Sequence, residues 1–263
     1  TMSRTTRPSW FLRDMPYAKL SDCVSTGKQI VRVDGSYDQF VENLLQQLRV
    51  SPPVGNAALG ALPCVEPDSG LWLEFGVFRG NTMRQIANYR NASHRWSERI
   101  CCVHGFDSFR GLPERWREDR IIDGRVIDFG AGVFNLHGRV PYPETAIIRW
   151  VPGWFNESLP AFLRDRPRSE HVSLLHVDSD LYSSASTIFG ELGHRLRAGS
   201  VIIFDELFGY PQYRKHEIRA FYEFLRSRRS LAAEVLGTST HQIASAPTHE
   251  YGSQACAVRL VRA

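Results

Sequence analysis

The stretch Leu71–Thr82 (LWLEFGVFRGNT) sets the strongest limit on the fold of this chain. Its apolar run ends at Glu74, glycines follow at Gly76 and Gly80, and the polar pair Asn81–Thr82 opens a periodic segment. That pattern predicts a strand, a tight turn and a helix start, as in βα units whose backbone comes close to a ligand. Glycine permits a positive φ angle or a close approach at such turns. By itself the stretch fits a structural turn as well as a ligand-binding one.

Apolar runs alternate with segments of helical periodicity from residue 71 onward. The predicted strands are Leu71–Phe75, Ile100–Phe106, Thr145–Val151, Val172–Val177, Ser200–Phe204, Leu231–Gly237 and Ala255–Val261. The predicted helices are Ser36–Val50, Thr82–Tyr89, Leu181–Arg197 and His216–Arg228. Continuous apolar strands joined by helices indicate a parallel sheet covered on both faces. The fold class is therefore α/β, a doubly wound and mostly parallel sheet of seven strands with an antiparallel edge.

Two segments lie outside this alternation. Residues 1–70 carry too few apolar residues to fold alone, so they are predicted to form an N-terminal helical cap on a core of residues 71–263. Residues 108–144 are predicted to be an irregular insertion. A long loop in a compact domain is usually functional or mobile, which favours a lid of about residues 112–144 over the ligand. A disordered surface loop is the alternative.

Composition excludes several classes of function. The chain has 263 residues, 43% hydrophobic and 23% charged, which is typical of one large soluble domain. Its net charge of +4 is spread without a basic block, so no nucleic-acid partner is expected. No apolar run approaches the length of a membrane span, and the N-terminus lacks a signal pattern. The odd number of cysteines, with Cys101–Cys102 predicted as buried core thiols, indicates a reducing compartment and a cytoplasmic protein.

Acidic residues lie at the ends of several predicted strands, each after an apolar run: Glu74, Asp107, Asp178 and Asp205–Glu206. One or two of them would be ordinary helix caps, but so many favour a site, because ligands of parallel sheets bind at the carboxyl ends of the strands. The first turn has only two glycines with the bulky Phe78 between them, unlike the G-x-G-x-x-G of dinucleotide folds. An acid after the second strand suits a ribose. A nucleoside cofactor that is not a dinucleotide is expected.

In these features the chain resembles the class I S-adenosylmethionine-dependent methyltransferases. More narrowly, it resembles the macrocin O-methyltransferase family, which modifies sugars of macrolide antibiotics. The matching segments are LEFGVFRGNT (73–82), GFDSFRGLPE (105–114), WVPGWFNESLP (150–160) and HVDSDLYSSASTIFGELGHRLRAGSVIIFDE (176–206). The resemblance implies a Rossmann-like fold, S-adenosylmethionine as the cofactor and a homo-oligomer. It also implies O-methylation of a small-molecule acceptor, either a sugar or a phenolic natural product.

The resemblance also assigns residues to the cofactor. Those that would line its methionine part are Glu74, Gly76, Arg79, Gly80 and Thr82. Asp107 would hold the ribose hydroxyls, with Ser108 beside it, and Asp178 would lie close to the cofactor. Trp154 would border the adenine, with packing in the core as the alternative.

A magnesium site is implied by similarity to metal-dependent members, including the catechol O-methyltransferases. These place one acid after the fourth strand and a pair after the fifth, which here are Asp178, Asp205 and Glu206. The macrocin family typically has two aspartates in the pair, whereas Glu206 is one methylene longer but remains a suitable oxygen ligand. Binding of the cofactor alone, or capping of a loop, is the alternative role for the pair.

The expected reaction is in-line attack of an acceptor oxygen on the sulfonium methyl, which requires positioning and a base. The lysine that serves catechol enzymes is replaced here by Leu181. His137 is predicted to be the base instead, with Asp178 as a second catalytic residue. His176 is predicted to be a core histidine, and Asp180 to touch the substrate or the surroundings of the metal. The alternatives are a metal-independent N- or C-methyltransferase and a non-catalytic S-adenosylmethionine-binding protein.

Overall fold

The computed structural model describes residues 23, 27, 29–51, 56–66, 70–93, 102–122, 125–239 and 254–263. Its strands are β1 (Ile30–Val31), β2 (Leu71–Phe75), β3 (Val103–Asp107), β4 (Arg117–Ile122), β5 (Arg125–Phe129), β6 (Ile148–Pro152), β7 (Val172–Val177), β8 (Val201–Phe208), β9 (Leu231–Thr238) and β10 (Gln254–Arg262). Its α-helices are α1 (Tyr37–Val50), α2 (Asn81–Ser93), α3 (Phe155–Arg164), α4 (Tyr182–Leu192) and α5 (Glu217–Ser227). Among these described parts, no helix is both long and apolar enough to span a membrane.

Eight strands form one sheet in the order β1-β9-β10-β8-β7-β2-β3-β6. The five adjacent strands β6, β3, β2, β7 and β8 are parallel to one another, whereas β10 is antiparallel to both β8 and β9. This confirms the predicted α/β sheet, including an antiparallel last strand; the short β1, which pairs with β9, was not predicted. The chain runs outward from β2 to β6 and then returns to the other side of β2. The carboxyl ends of β2 and β7 therefore meet at the switch point, where ligands bind in such sheets.

Helices cover both faces of the sheet. One core contains buried residues of α1, α4 and α5, and the other contains those of α2 and of the 3-10 helix Asn56–Cys64. Strand β2 contributes to both cores, since Leu73 belongs to the first and Trp72 to the second. The Phe40 ring of α1 lies 6.2 Å from the Phe221 ring of α5. The N-terminal segment thus shares the cores of the sheet, and a domain boundary at residue 70 stays a prediction.

The insertion between β3 and β6 is not irregular throughout, which corrects the prediction. Its strands β4 and β5 pair in an antiparallel hairpin. Trp116 and Arg117 at its base are buried, and Trp116 clusters with Leu181 and Tyr210 of the core domain. The insertion is thereby anchored beside the carboxyl ends of β7 and β8.

The cysteines do not follow the predicted pattern. Cys23 and Cys64 form a disulfide, which is at odds with the reducing compartment expected from the sequence. Cys102 is partly exposed rather than a core thiol, and Cys101 lies outside the described residues. The buried free cysteine is Cys256, a residue of β10. The odd count alone could not reveal this pairing, because it joins residues that are 41 positions apart.

Cleavage of the Cys23–Cys64 bond is expected to lower the free energy of unfolding by about 2–4 kcal/mol, because the bond restricts the unfolded chain. Chemical denaturation of the Cys23→Ser variant, compared with the oxidised wild type, measures this loss. Cys102→Ser is the matched control, since Cys102 is a free thiol. Identical midpoints for Cys23→Ser and the wild type would show that the bond does not stabilise the fold.

Candidate active site

A cavity of about 820 Å³ opens at the carboxyl ends of β2, β3, β7 and β8. The predicted site residues that line it are Gly76, Asp107, Ser108, Trp154, Asp178, Asp205 and Glu206. The insertion adds Leu112, Glu114 and Phe134 to the wall, and helix α4 adds Ser183 and Thr187. Asp107, Asp178, Asp205 and Glu206 therefore meet the insertion around one space.

The turn after β2 packs tightly against the end of β7. Gly76 has a φ angle of +85°, and a Cβ atom there would lie only 1.6 Å from the backbone oxygen of Asp178. The Gly76 amide donates to the Phe106 carbonyl at 3.0 Å, and the Asp178 amide donates to the Phe75 carbonyl at 2.8 Å. Glycine is required here because both the backbone angle and the space exclude a side chain.

Asp107, the last residue of β3, ties this turn to the cavity. Its Oδ2 atom accepts hydrogen bonds from the amides of Val77 at 2.9 Å and Phe78 at 2.8 Å. Its Oδ1 atom accepts from the Phe109 amide at 2.7 Å. Ser108 follows, and its hydroxyl accepts from the Arg110 amide at 3.0 Å. The carboxylate thus orders the turns after β2 and β3 while it faces the cavity.

Five predicted site residues do not line the cavity: Glu74, Arg79, Gly80, Thr82 and His137. Glu74 is 1% exposed, and its Oε1 atom lies 3.7 Å from Nδ1 of His176, which is fully buried as predicted. Burial raises the pKa of Glu74. Gly80 contacts Tyr142, whose hydroxyl donates to the Gly80 carbonyl at 3.0 Å. Arg79 and His137 are exposed.

Three carboxyl groups converge at the floor of the cavity. Oxygen atoms of Asp178, Asp180 and Glu206 all lie within 4.8 Å of one another. Among the described residues, the third member of this group is Asp180, whereas the sequence analysis predicted Asp205. Asp205 lines the same cavity, and its charge makes the largest electrostatic contribution to the raised pKa of Asp178.

The floor of the cavity is strongly acidic. Desolvation, and then the neighbouring Asp205 charge, raise the pKa of Asp178 well above its usual value. Desolvation and the adjacent Glu206 carboxylate raise the pKa of Asp180 in the same way. The Arg117 guanidinium opposes this shift at Asp180, and it lies over the rings of Trp116 and Tyr210 at 3.8 and 4.8 Å. Crowded carboxylates of this kind favour either shared protons or a bound cation.

A further buried acid, Glu217, was not singled out from the sequence. It is the first residue of α5, is 1% exposed, and accepts hydrogen bonds from the backbone after β7. Burial raises its pKa to about 8. The available signal was an acid in the first turn of a predicted helix, which is ordinarily explained by the helix dipole.

An aromatic pair closes the side of the cavity between the first turn and the insertion. Phe78 has a φ angle of +45°, which is unusual for a bulky residue. Its ring centroid lies 5.4 Å from that of Phe134, and both residues line the cavity. Phe134 is 36% exposed. The pair gives the cavity an apolar wall apart from its acidic floor.

Comparison with known proteins gives a consistent result. The methyltransferase domain family matches residues 73–207, which is slightly more than half of the chain. A curated relative is the 8-demethyl-8-(2,3-dimethoxy-alpha-L-rhamnosyl)-tetracenomycin-C 4'-O-methyltransferase of Streptomyces olivaceus, 25% identical over 142 residues. That alignment covers 51% of this chain and 51% of the relative, so the chain spans about half the length of the curated relative it matches.

A solved structure shows the same fold. A crystal structure of CalS11, a calicheamicin methyltransferase, is 19% identical with a TM-score of 0.53, covering 98% of this chain and 99% of that one. A structure of the O-methyltransferase NovP is 19% identical with a TM-score of 0.46, covering 83% and 79%. The family match extends from β2 into β8 and so includes the turn after β2, Asp107 and the converging carboxyl groups. This chain belongs to the methyltransferase domain family and has the class I S-adenosylmethionine-dependent methyltransferase fold.

Proposed function

We propose that this protein is an S-adenosylmethionine-dependent O-methyltransferase that methylates a hydroxyl of a small molecule with the help of a divalent cation. One observation carries the proposal: a single cavity joins the Asp107 strand end to the converging carboxyl groups of Asp178, Asp180 and Glu206. The acceptor is a sugar or phenolic natural product. Support for a glycosidic acceptor comes from the curated relative, whose name specifies a 4'-O-methyltransferase of a rhamnosyl tetracenomycin.

The residues present fit the cofactor. A carboxylate has about four acceptor positions, and three at Asp107 are filled by backbone amides, two of them on Oδ2. The remaining position, on Oδ1, can accept one ribose hydroxyl. The bare backbone at Gly76 lines the cavity where it packs against Asp178, and the half-buried Trp154 offers an aromatic face to the same cavity. When bound, S-adenosylmethionine supplies the sulfonium methyl group.

The residues also fit a divalent cation. Mg²⁺ prefers carboxylate oxygens as ligands, and three acids present such oxygens together. Asp205 adds negative charge around them, which a cation would compensate. We propose Asp178 and Glu206 as ligands, with Asp205 completing the set. A cation held there would polarise an acceptor hydroxyl and lower its pKa.

The acceptor proton requires a base within reach of the hydroxyl. Asp180 is 6% exposed, lies in the cavity wall, and presents a carboxyl oxygen beside those of Asp178 and Glu206. His137 does not line the cavity, and its amide donates to the Asn135 side chain in an exposed turn. We therefore propose Asp180 as the base, with His137 as the alternative.

Calorimetry with S-adenosylmethionine tests the cofactor assignment. We expect Asp107→Ala to lose about 1.5–3 kcal/mol of binding free energy, the contribution of a hydrogen bond to a charged group. Asp128→Ala is the matched control, because Asp128 is an exposed aspartate whose ion pair with Arg115 lies outside the cavity. Equal affinities in the two variants would contradict the role of Asp107.

Product analysis separates the proposal from its alternatives. Hydroxylated sugars and phenols are incubated with the enzyme and S-adenosylmethionine, and methylated products are identified by mass spectrometry. Methylation on nitrogen or carbon would instead support the second enzyme class. Cofactor binding without any methylated product would support a non-catalytic binding protein.

A further inference from the structure

Glu217 makes an unusual set of contacts for a buried acid. Its Oε1 atom accepts three hydrogen bonds, from the Ser179 amide at 2.9 Å, the Ser179 hydroxyl at 3.0 Å and the Asp180 amide at 3.1 Å. Its Oε2 atom has no hydrogen-bond partner among the residues that the structure describes. All the hydrogen bonds in which Glu217 is described thus converge on one oxygen and on one turn of the chain.

That turn has a backbone conformation that needs support. Asp180 has a φ angle of +61°, in the left-handed region that costs roughly 1–2 kcal/mol for residues with a side chain. The turn is tight, with the Leu181 amide 2.6 Å from the Ser179 carbonyl. Because the Ser179 and Asp180 amides are buried, loss of their shared acceptor would leave both unsatisfied.

The conformation of the turn decides where two of the converging acids point. Asp178 precedes Ser179 and Asp180 follows it, so a change in the turn separates their carboxyl groups. Glu217 itself is not among the carboxyl groups that lie within 4.8 Å of one another. Its contacts therefore act on the ligand backbone rather than on the space between the ligands.

We infer that Glu217 is a positioning residue that fixes the Ser179–Asp180 turn so that Asp178 can bind the divalent cation with Asp180 held beside it. The inference rests on the metal part of the proposed function. It requires a hydrogen-bond acceptor at the position of Oε1, and it does not require the negative charge of the carboxylate.

Two variants separate the acceptor from the charge. Glu217→Gln keeps an acceptor oxygen at the same reach and removes the charge, whereas Glu217→Asp keeps the charge and shortens the side chain. Mn²⁺ binding is measured for both variants and the wild type by electron paramagnetic resonance, in which the signal of the free ion disappears as the ion binds. Residues that support metal ligands typically contribute about 10–100-fold in affinity, and we expect such a loss in Glu217→Asp and its rescue in Glu217→Gln.

The outcomes are distinct. Glu223→Gln is the matched control on the same helix, because Glu223 accepts from Tyr182 and Arg219 instead of the turn, and its affinity should equal that of the wild type. Equal affinities in the two Glu217 variants, or weaker binding in Glu217→Gln, would overturn the positioning role. Absence of Mn²⁺ binding in the wild type would overturn the proposed metal site itself, and this inference with it.

Discussion

Replacement of Asp178 by alanine is expected to lower kcat/KM for methyl transfer by about 100-fold or more, because a cation is typically worth several kcal/mol of charge stabilisation. Asp178 follows β7, lines the cavity beside Gly76, and is one of the three acids whose oxygens converge. Its removal takes away a ligand of the proposed cation and a wall of the proposed cofactor site together. Both acceptor polarisation and methyl positioning should suffer.

Chelation distinguishes these two contributions. Treatment of the wild type with EDTA should abolish methyl transfer, and added Mg²⁺ should restore it, whereas Asp178→Ala should stay inactive at the same Mg²⁺ concentration. Asp165→Ala is the control, since Asp165 is an exposed aspartate that follows α3 and does not line the cavity. Full activity after chelation would refute the metal role. The cofactor role of Asp178 would then be the remaining explanation for the lower activity of Asp178→Ala.

The central strands can be predicted from the sequence because helices cover both of their faces. Such strands are continuous apolar runs, so Leu71–Phe75 and Val172–Val177 are predicted with the bounds that the structure shows. The acids that follow these runs are then expected at one edge of the sheet. The structure accordingly brings Asp107 and Asp178 to the same cavity.

Helix α3 and strand β4 escape prediction because their residue types argue against them. Helix α3 (Phe155–Arg164) contains Pro160, which ordinarily disfavours a helix interior. Strand β4 (Arg117–Ile122) begins with four charged residues and has no apolar alternation. It is formed in the structure by pairing with β5, while Trp116 packs on Tyr210 at a centroid distance of 5.4 Å. Tertiary contacts, which local patterns do not contain, decide both cases.

The composition of the acidic floor could be predicted only in part. Asp178 and Glu206 follow from their positions after strands, but the side chain of Asp180 joins them through a left-handed backbone angle that no pattern around it signals. Glu217 reaches the Ser179 turn from 38 positions away along the chain. Contacts of this kind depend on how α5 docks against the sheet, so only the folded structure displays them.

Gly76→Ala is expected to be the most destabilising single-methyl change at the site. The new Cβ atom would lie 1.6 Å from the carbonyl oxygen of Asp178 and 2.7 Å from its carbonyl carbon, both backbone atoms that cannot rotate away. The φ angle of +85° adds roughly 1–2 kcal/mol of strain, and overpacking adds about 1–3 kcal/mol. Together these consume a large part of the total stability of about 5–15 kcal/mol that is typical of a domain.

Gly199→Ala separates the two causes, because Gly199 has a φ angle of +99° and nothing within 4 Å of the added Cβ atom. Gly199→Ala should be destabilised only by the strain of its backbone angle. The difference between the two variants in the free energy of unfolding, measured by chemical denaturation, therefore reports the contact between Gly76 and the end of β7. We also expect Gly76→Ala, but not Gly199→Ala, to weaken S-adenosylmethionine binding in calorimetry, since relief of the clash must displace Asp178. If both variants lost equal stability and bound the cofactor equally, the close approach of the first turn to Asp178 would be refuted, and with it the reason for glycine in this turn.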